Sequence, residues 1–381
     1  LRNGLQKTTT AMDILIDEHI PFLAESLQKI EEQGFHLKRF QGRTLTRDAL
    51  DNCIALCVRS TTRVNAALLQ GSPVRFVGTA TSGSEHIDAD FLREAGILFR
   101  DARGCNANSV AEYVVFSLLL WAEKSGLMTE KQPLRGKTLG LIGYGHIGKR
   151  VAALALNLGM RVLVNDPPLL ESGGLLGRWV QNTSLDSLLS EANVVTNHVP
   201  YTTQTKHTTA GMIDEKALVQ LREKTLFIHA SRGGIVAESA LLNLLEERDI
   251  TAVVDVWQDE PRISPTLAKH CLLATPHIAG YSFEGKIHGS MIMARELERF
   301  ASNILGKSLM IDWSVFEYAL AQENHIVIDF ADHHLLLEQL RVSRNLESDT
   351  VLLRASLNEH DPSEAFDRLR KTYPQRREII R

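Results

Sequence analysis

The sequence has little that would place it in a membrane, on a nucleic acid or under disulfide control. Its four cysteines, Cys53, Cys57, Cys105 and Cys271, form no CxxC pair. No histidines stand beside them at ligand spacing, which argues against a zinc site and a disulfide framework alike; no metal is expected. A net charge of -4 gives no basic excess for nucleic acid, and no long run of one charge marks a tail. The most apolar helix candidate, Tyr113 to Trp121, is too short to span a bilayer and is flanked by Glu112, Glu123 and Lys124. The first residues, Leu1 to Ala11, are polar and threonine-rich, without the apolar core of a signal peptide. They are set aside from the fold reasoning. Tandem repeats and low-complexity tracts are absent too. These absences lead to the expectation of a cytoplasmic protein with no membrane and no nucleic-acid partner.

What is present is globular. Hydrophobic residues make up 44% of 381 positions, enough for sizeable cores in two or three domains. Short β-type runs alternate with helical stretches. One series comprises Asp13 to Ile16, Cys53 to Val58, Arg75 to Gly78 and Ile97 to Phe99. A second comprises Thr138 to Ile142, Arg161 to Val164, Asn193 to Thr196, Thr225 to His229 and Ala252 to Val256. Helical stretches lie between and around them, at Leu23 to Gln33, Ser109 to Lys124, Ile147 to Leu158 and Glu238 to Arg248. This order predicts right-handed βαβ units and two parallel sheets. Residues 12–108 form the expected first domain, completed by a long helix over 283–305. Residues 109–282 form the second, and residues 306–381, of mixed texture, a small third one.

Thr138 to Gly148 runs from a strand through Gly143-x-Gly145-x-x-Gly148 into a helix. Alone, such a glycine pattern is weak evidence. In this context Gly143 permits a tight turn, Gly145 lets a pyrophosphate approach the backbone, and Gly148 lets helix and strand pack closely. The following strand ends at Asp166, whose carboxylate suits the ribose hydroxyls and repels a 2′-phosphate. NAD is therefore expected over NADP, against the bland reading of an ordinary turn aspartate.

Three further groups fall just past predicted strands: Arg232 in Ala-Ser-Arg-Gly-Gly, Glu260 in Asp255-Val-Trp-Gln-Asp-Glu-Pro261, and His277 in Thr-Pro-His-Ile-Ala-Gly280. Singly, each reads as a surface ion pair, a turn residue or a satisfied loop histidine. Together, at one edge of a dinucleotide-binding sheet, they make a catalytic set for a 2-hydroxy acid. Histidine takes the hydroxyl proton, glutamate fixes its tautomer, and arginine grips the carboxylate in a two-point fork.

On these four motifs the chain resembles the D-2-hydroxyacid dehydrogenase family, over roughly Met12 to Leu305. The resemblance implies a flavodoxin-like substrate domain, a Rossmann-like NAD domain and a homodimer. A narrower likeness, to a branch that acts on a phosphorylated 2-hydroxy acid, rests on Val58-Arg-Ser-Thr-Thr-Arg-Val-Asn65, Phe76-Val-Gly-Thr-Ala-Thr-Ser-Gly83, Gly104-Cys-Asn106 and His277 to Lys286. It implies substrate contacts at Ser60, Thr81 and Tyr281 and cofactor contacts at Asp166, Asp255 and Gly280. Val199 stands where that branch has a cofactor-binding threonine, leaving its backbone to serve. The phrase Phe366 to Glu378 resembles the branch's C-terminal dimerisation domain, an expected small α+β unit; the stretch from Gly306 to Asp361 matches poorly. Arg59 to Arg63 offers cations and hydroxyls suited to a phosphate, and equally to a solvated loop. Arg376 and Arg377 are candidates to complete that receptor from a partner subunit. The alternatives left open are another D-2-hydroxyacid dehydrogenase, such as one for 3-phosphoglycerate, and an NAD-sensing interaction protein of the same fold.

Overall fold

The structure is a computed structural model, and it describes residues 12–321 and 328–380. The chain divides into two compact units. The first contains the residues up to Asn106 together with Glu284–His325; the second contains Ala107–Phe283 and Ile326–Arg381.

In the first unit five parallel strands, β1 (Met12–Asp17), β2 (Phe35–Phe40), β3 (Cys53–Val58), β4 (Phe76–Thr79) and β5 (Leu98–Asp101), lie in the order β2-β1-β3-β4-β5. This is the doubly wound order of flavodoxin-like sheets, with its switch point between β1 and β3. β3 is buried at every position, as a central parallel strand must be. β2 went unrecognised in the sequence because it is an edge strand. Its Phe-His-Leu-Lys-Arg-Phe pattern buries only Phe35, at one end. The expected helix over Leu23 to Gln33 is absent. That stretch runs as turns and two short 3-10 segments, Glu25–Leu27 and Ile30–Gln33. Ala24, Leu27 and Ile30, all buried, are spaced by three, the repeat of a 3-10 helix. Phe22 (φ 61°) and Gly34 (φ 83°) bracket the stretch with left-handed backbone that no regular helix accepts.

The second unit holds seven parallel strands: β6 (Thr138–Ile142), β7 (Arg161–Asn165), β8 (Val180–Asn182), β9 (Val194–Asn197), β10 (Leu226–His229), β11 (Thr251–Val254) and β12 (Leu273–Ala274). Their order is β12-β11-β10-β9-β6-β7-β8. The direction of winding reverses between β6 and β9, which are direct neighbours. Ligands bind outside the carboxyl ends of strands at such a point. The helix Ala107–Lys124 is buried from Ser109 through Ala122, Glu112 included. No helix among the described residues is long and apolar enough to cross a membrane.

Beyond Leu305 the described residues form helices, at Ser314–Ala321, His333–Ser343, Leu346–Ser356 and Pro362–Lys371, and no strand. Where an α+β unit was expected, the described residues are helical, and residues 322–327 lie outside them. Asp332, Asn345 and Asp361 each cap a following helix through the side chain. Leu336, Leu337 and Leu340, and then Leu346, Thr350 and Leu353, are buried at helical spacing.

Candidate active site

The glycine loop of the second unit is built as its sequence requires. Gly143 has φ +90°, a conformation side chains rarely adopt. A Cβ at Gly148 would lie 2.1 Å from the Gly143 carbonyl oxygen, so only glycine lets the helix His146–Asn157 start this close to the loop. The side of Gly145 where a Cβ would sit is open, and the helix has no side-chain cap at its N-terminus. Backbone N–H groups are thus left for an anion, where the helix dipole favours negative charge. The Val199 side chain closes over the loop, 2.8 Å from a Cβ built on Gly143. Asp166 stands at the end of β7. Its Oδ2 accepts from the Tyr144 N–H at 2.7 Å and its Oδ1 from the Leu169 N–H at 3.0 Å. A carboxylate has about four acceptor sites, so capacity for ribose hydroxyls remains.

Arg232, Glu260 and His277 leave the ends of β10, β11 and β12, three neighbouring strands of one sheet. The loops after β10 and β11 touch through backbone: a Cβ at Gly233 would fall 1.9 Å from the Trp257 carbonyl oxygen, so glycine is required. Glu260 is held from two sides. Its Oε1 accepts from the Trp257 N–H at 3.0 Å, and its Oε2 lies 2.8 Å from His277 Nδ1. Facing a carboxylate, Nδ1 carries the proton, which leaves Nε2 as the free acceptor of the ring; the tautomer follows from the hydrogen-bond network. The Glu260 pKa is lowered: the imidazole hydrogen bond and charge, the Trp257 N–H and the Arg370 cation outweigh the opposing effect of burial. Arg232 is half-buried, and its Nη1 donates to the Ser231 carbonyl at 2.8 Å.

His277 has φ 56°, left-handed backbone that a histidine adopts at a cost. Asp255 holds that loop in place. Its carboxylate, almost fully buried, accepts from Thr275 Oγ1 at 2.6 Å, the Ile278 N–H at 2.8 Å and the Ala279 N–H at 3.0 Å, while its carbonyl accepts from the His277 N–H at 2.8 Å. Tyr113 donates to Thr275 Oγ1 at 2.8 Å. Gly280 and Tyr281, half-buried, follow directly, and the Tyr281 ring meets Tyr373 edge-on at 6.0 Å between centroids.

Sequence reasoning missed the residues that brace this loop from far along the chain. Arg344 is buried, and its guanidinium donates to the carbonyls of Ser109, Ile278 and Ala279. Burial, with Arg376 close by, brings its pKa down to about 10, still a cation at neutral pH. Thr350 Oγ1 accepts from the Ala274 N–H at 3.2 Å. Arg370 Nη1 lies 3.7 Å from Glu260 Oε2. No spacing in the sequence links these residues to the loop. Arg376 is not available to a phosphate on a partner subunit. It is buried, with Nη1 3.2 Å from Glu112 Oε2 and Nη2 donating to Ser109 Oγ at 2.6 Å.

The first unit carries Ser60 and Thr81 at the carboxyl edge of its own sheet. Ser60 is exposed just past β3. Thr81, past β4, bonds Thr79 Oγ1 at 2.8 Å and the Gly83 carbonyl at 2.8 Å. Beside Ser60, Arg59 Nε lies 3.3 Å from Asp17, whose carboxylate is wholly buried. The Lys286 pKa is lowered, first by burial and then by the positive charge of Arg59, so two cations share this edge.

The region 119–279 matches the D-isomer specific 2-hydroxyacid dehydrogenase, NAD binding domain. Over 382 aligned residues the chain is 39% identical to an erythronate-4-phosphate dehydrogenase of Pseudomonas aeruginosa, covering 97% of this chain and 93% of that protein. An erythronate-4-phosphate dehydrogenase of Yersinia enterocolitica is 37% identical, covering 96% and 93%. The chain belongs to the erythronate-4-phosphate dehydrogenase family. It is an oxidoreductase of the NAD-dependent D-2-hydroxyacid dehydrogenase type, and NAD is its cofactor. Among solved structures it shares its fold with an NAD-bound 3-phosphoglycerate dehydrogenase of Entamoeba histolytica (TM-score 0.63, 23% identity, covering 77% of this chain and 96% of that one). A D-lactate dehydrogenase of Aquifex aeolicus complexed with NAD and lactic acid gives a TM-score of 0.57 at 24% identity, covering 78% and 99%. The family's cofactor fits the open face of Gly145, the uncapped helix and the Asp166 carboxylate described above.

Proposed function

We infer that the protein is a cytoplasmic enzyme that oxidises 4-phospho-D-erythronate to 2-oxo-3-hydroxy-4-phosphobutanoate in pyridoxal phosphate biosynthesis. The observation that carries this reading is the Glu260–His277 pair at 2.8 Å, past the strands of a nucleotide-binding sheet whose neighbouring loop presents Arg232. Bound NAD supplies the hydride acceptor. His277 Nε2 takes the proton of the C2 hydroxyl, and Glu260 stabilises the imidazolium so formed. Arg232 holds the carboxylate and polarises the oxygen of the developing carbonyl. Asp166, Val199, Asp255 and Gly280, with the three glycines of the loop, serve the cofactor, and Ser60, Thr81 and Tyr281 the substrate.

The phosphate is supported by the family and by the Arg59, Ser60 and Lys286 edge of the first unit. A dianion held away from the reacting carbon supplies binding energy that orients it. A homodimer is supported by the exposed apolar side chains Leu335, Val342, Val351 and Leu352 on the helices of the tail. The test is turnover with NAD and a panel of 2-hydroxy acids, with and without a terminal phosphate. Much lower kcat/KM on erythronate than on 4-phosphoerythronate is expected. Equal efficiency on both would remove the phosphate from the substrate, and preference for 3-phosphoglycerate would reassign it.

A further inference from the structure

The helix Pro362–Lys371 is fixed to the second unit. Asp361 caps it through the N–H groups of Ser363 and Glu364, and Phe366 is wholly buried in the core that also contains Trp257 and Leu267. Arg370 stands one helical turn beyond Phe366 and therefore on the same face. Its Nη1 reaches to 3.7 Å from Glu260 Oε2, the oxygen that also faces His277 Nδ1. Its Nε is buried, with no hydrogen-bond partner among the described residues. The Glu260 carboxylate thus meets three groups: a backbone N–H, an imidazole and a guanidinium. At 3.7 Å the guanidinium is too far for a hydrogen bond, so it acts on the charge of the carboxylate rather than on its aim.

We propose that Arg370 is a positioning residue of the reaction, a cation on the C-terminal helix that acts through Glu260 to set the pH at which the Glu260–His277 pair gives up its proton. This rests on the reading of His277 as the acid/base group. Oxidation of the hydroxy acid needs the pair without its shuttled proton; reduction of the keto acid needs the pair with it. A carboxylate facing an imidazole alone holds that proton firmly. A fixed cation on the far side of the carboxylate offsets part of its negative charge and makes the proton easier to release. Arg370 therefore poises the site for the oxidative direction.

The other charges around the pair stay the same when Arg370 changes. Arg232 presents a second cation from the loop after β10. His229, at the end of β10, is kept neutral by burial, its pKa brought down to about 3. Asp255 is bonded to Thr275, Ile278 and Ala279. Asp259 neighbours Glu260 in its loop, and Glu238 is tied to the Gln258 N–H, its pKa raised chiefly by burial. None of them shares an oxygen of Glu260 with the imidazole.

The experiment is the pH dependence of kcat/KM in both directions for the full-length enzyme and for Arg370→Gln, with 4-phosphoerythronate and NAD forward and the keto acid and NADH in reverse. Loss of the cation is expected to move the acidic limb of oxidation up by about one pH unit, the scale of one charge near a carboxylate. Below the limb that is a tenfold slower oxidation. Reduction is expected to persist to a pH higher by the same amount. Arg370→Lys is expected to restore most of the shift. Damage to the fold would instead lower both directions together at unchanged limbs, and that result overturns the proposal. Arg370→Met, which keeps the aliphatic stem packed, gives the same reading if the glutamine variant is unstable. A wild-type profile with no acidic limb would sink the His277 assignment itself, whereas a limb that is present but indifferent to residue 370 removes only the role of Arg370.

Discussion

Arg376 and Glu112 form an ion pair at 3.2 Å in which the two side chains are 5% and 0% exposed. Glu112 sits in the middle of the buried helix Ala107–Lys124, and its Oε1 also accepts from the Ile380 N–H at 2.6 Å. The end of the chain is thereby built into the nucleotide-binding unit. Removing Arg376 leaves the buried Glu112 without its ion-pair partner, held by the Ile379 and Ile380 N–H groups. Arg376→Ala is expected to destabilise the enzyme by about 3–5 kcal/mol, read as the change in urea unfolding free energy. A loss below about 1 kcal/mol, the scale of an exposed pair, would contradict this placement.

For the chemistry, His277→Ala is expected to lower kcat by about a hundredfold or more, the usual scale for losing a general base. NAD affinity, measured by fluorescence titration, is expected to change little, since the imidazole is assigned to the substrate hydroxyl and not to the dinucleotide. Turnover near wild type at saturating substrate would remove His277 from its role.

Asp166→Ala is expected to weaken NAD binding and to narrow the gap between NAD and NADP. The same change removes acceptors from the N–H groups of Tyr144 and Leu169, so the glycine loop loosens as well. Kd values for both cofactors decide the matter. A wild-type enzyme that uses NADP as readily as NAD would contradict the role of this carboxylate.

Acid is expected to unfold the second unit through two buried histidines. Burial lowers the pKa of His198 and of His229 to about 3, so both are neutral in the folded protein. Unfolded, each takes a proton near pH 6.5. Their neutral burial therefore costs nothing extra above about pH 6.5, and stability falls as pH drops from there towards 3. At pH 5 the loss is about 2 kcal/mol per histidine. Urea midpoints at pH 7 and pH 5 measure it, and His229→Asn should remove about half of the difference. Equal midpoints at the two pH values would show that these rings are not buried neutral.

Dimerisation through the tail is best tested on the surface. Truncation after Leu305 would also remove Arg344 and Arg376, which brace the second unit from inside, so it no longer isolates the interface. Val342→Asp together with Val351→Asp changes two exposed positions only. The expected outcome is a monomer by analytical ultracentrifugation with the NAD affinity kept. A dimer that survives would place the interface elsewhere.

The sequence by itself determined the local pieces whose reasons are local. Thr138 to Gly148 could only be a strand, a glycine turn and a helix start, because Gly143 needs positive φ and Gly148 close packing. The strand bounds Cys53–Val58 and Thr138–Ile142 were legible because buried parallel strands read as unbroken apolar runs. Arg232, Glu260 and His277 could be singled out as candidates because open α/β sheets bind ligands past their strand ends. Periodicity misled over Leu23 to Gln33, where spacing by three satisfied burial without a regular helix. Only the tertiary structure decided what holds the loop of His277. Asp255 was expected as a cofactor contact, and its carboxylate also anchors Thr275, Ile278 and Ala279. Arg344 and Arg370 carried no assignment in the sequence and Arg376 was expected at a phosphate, yet they reach Ala279, Glu260 and Glu112. The physical reason is that a strand or turn is set by neighbours a few residues away. A buried charge is set by whichever distant group can offset the cost of taking it out of water, and nothing in the chain order records that partner.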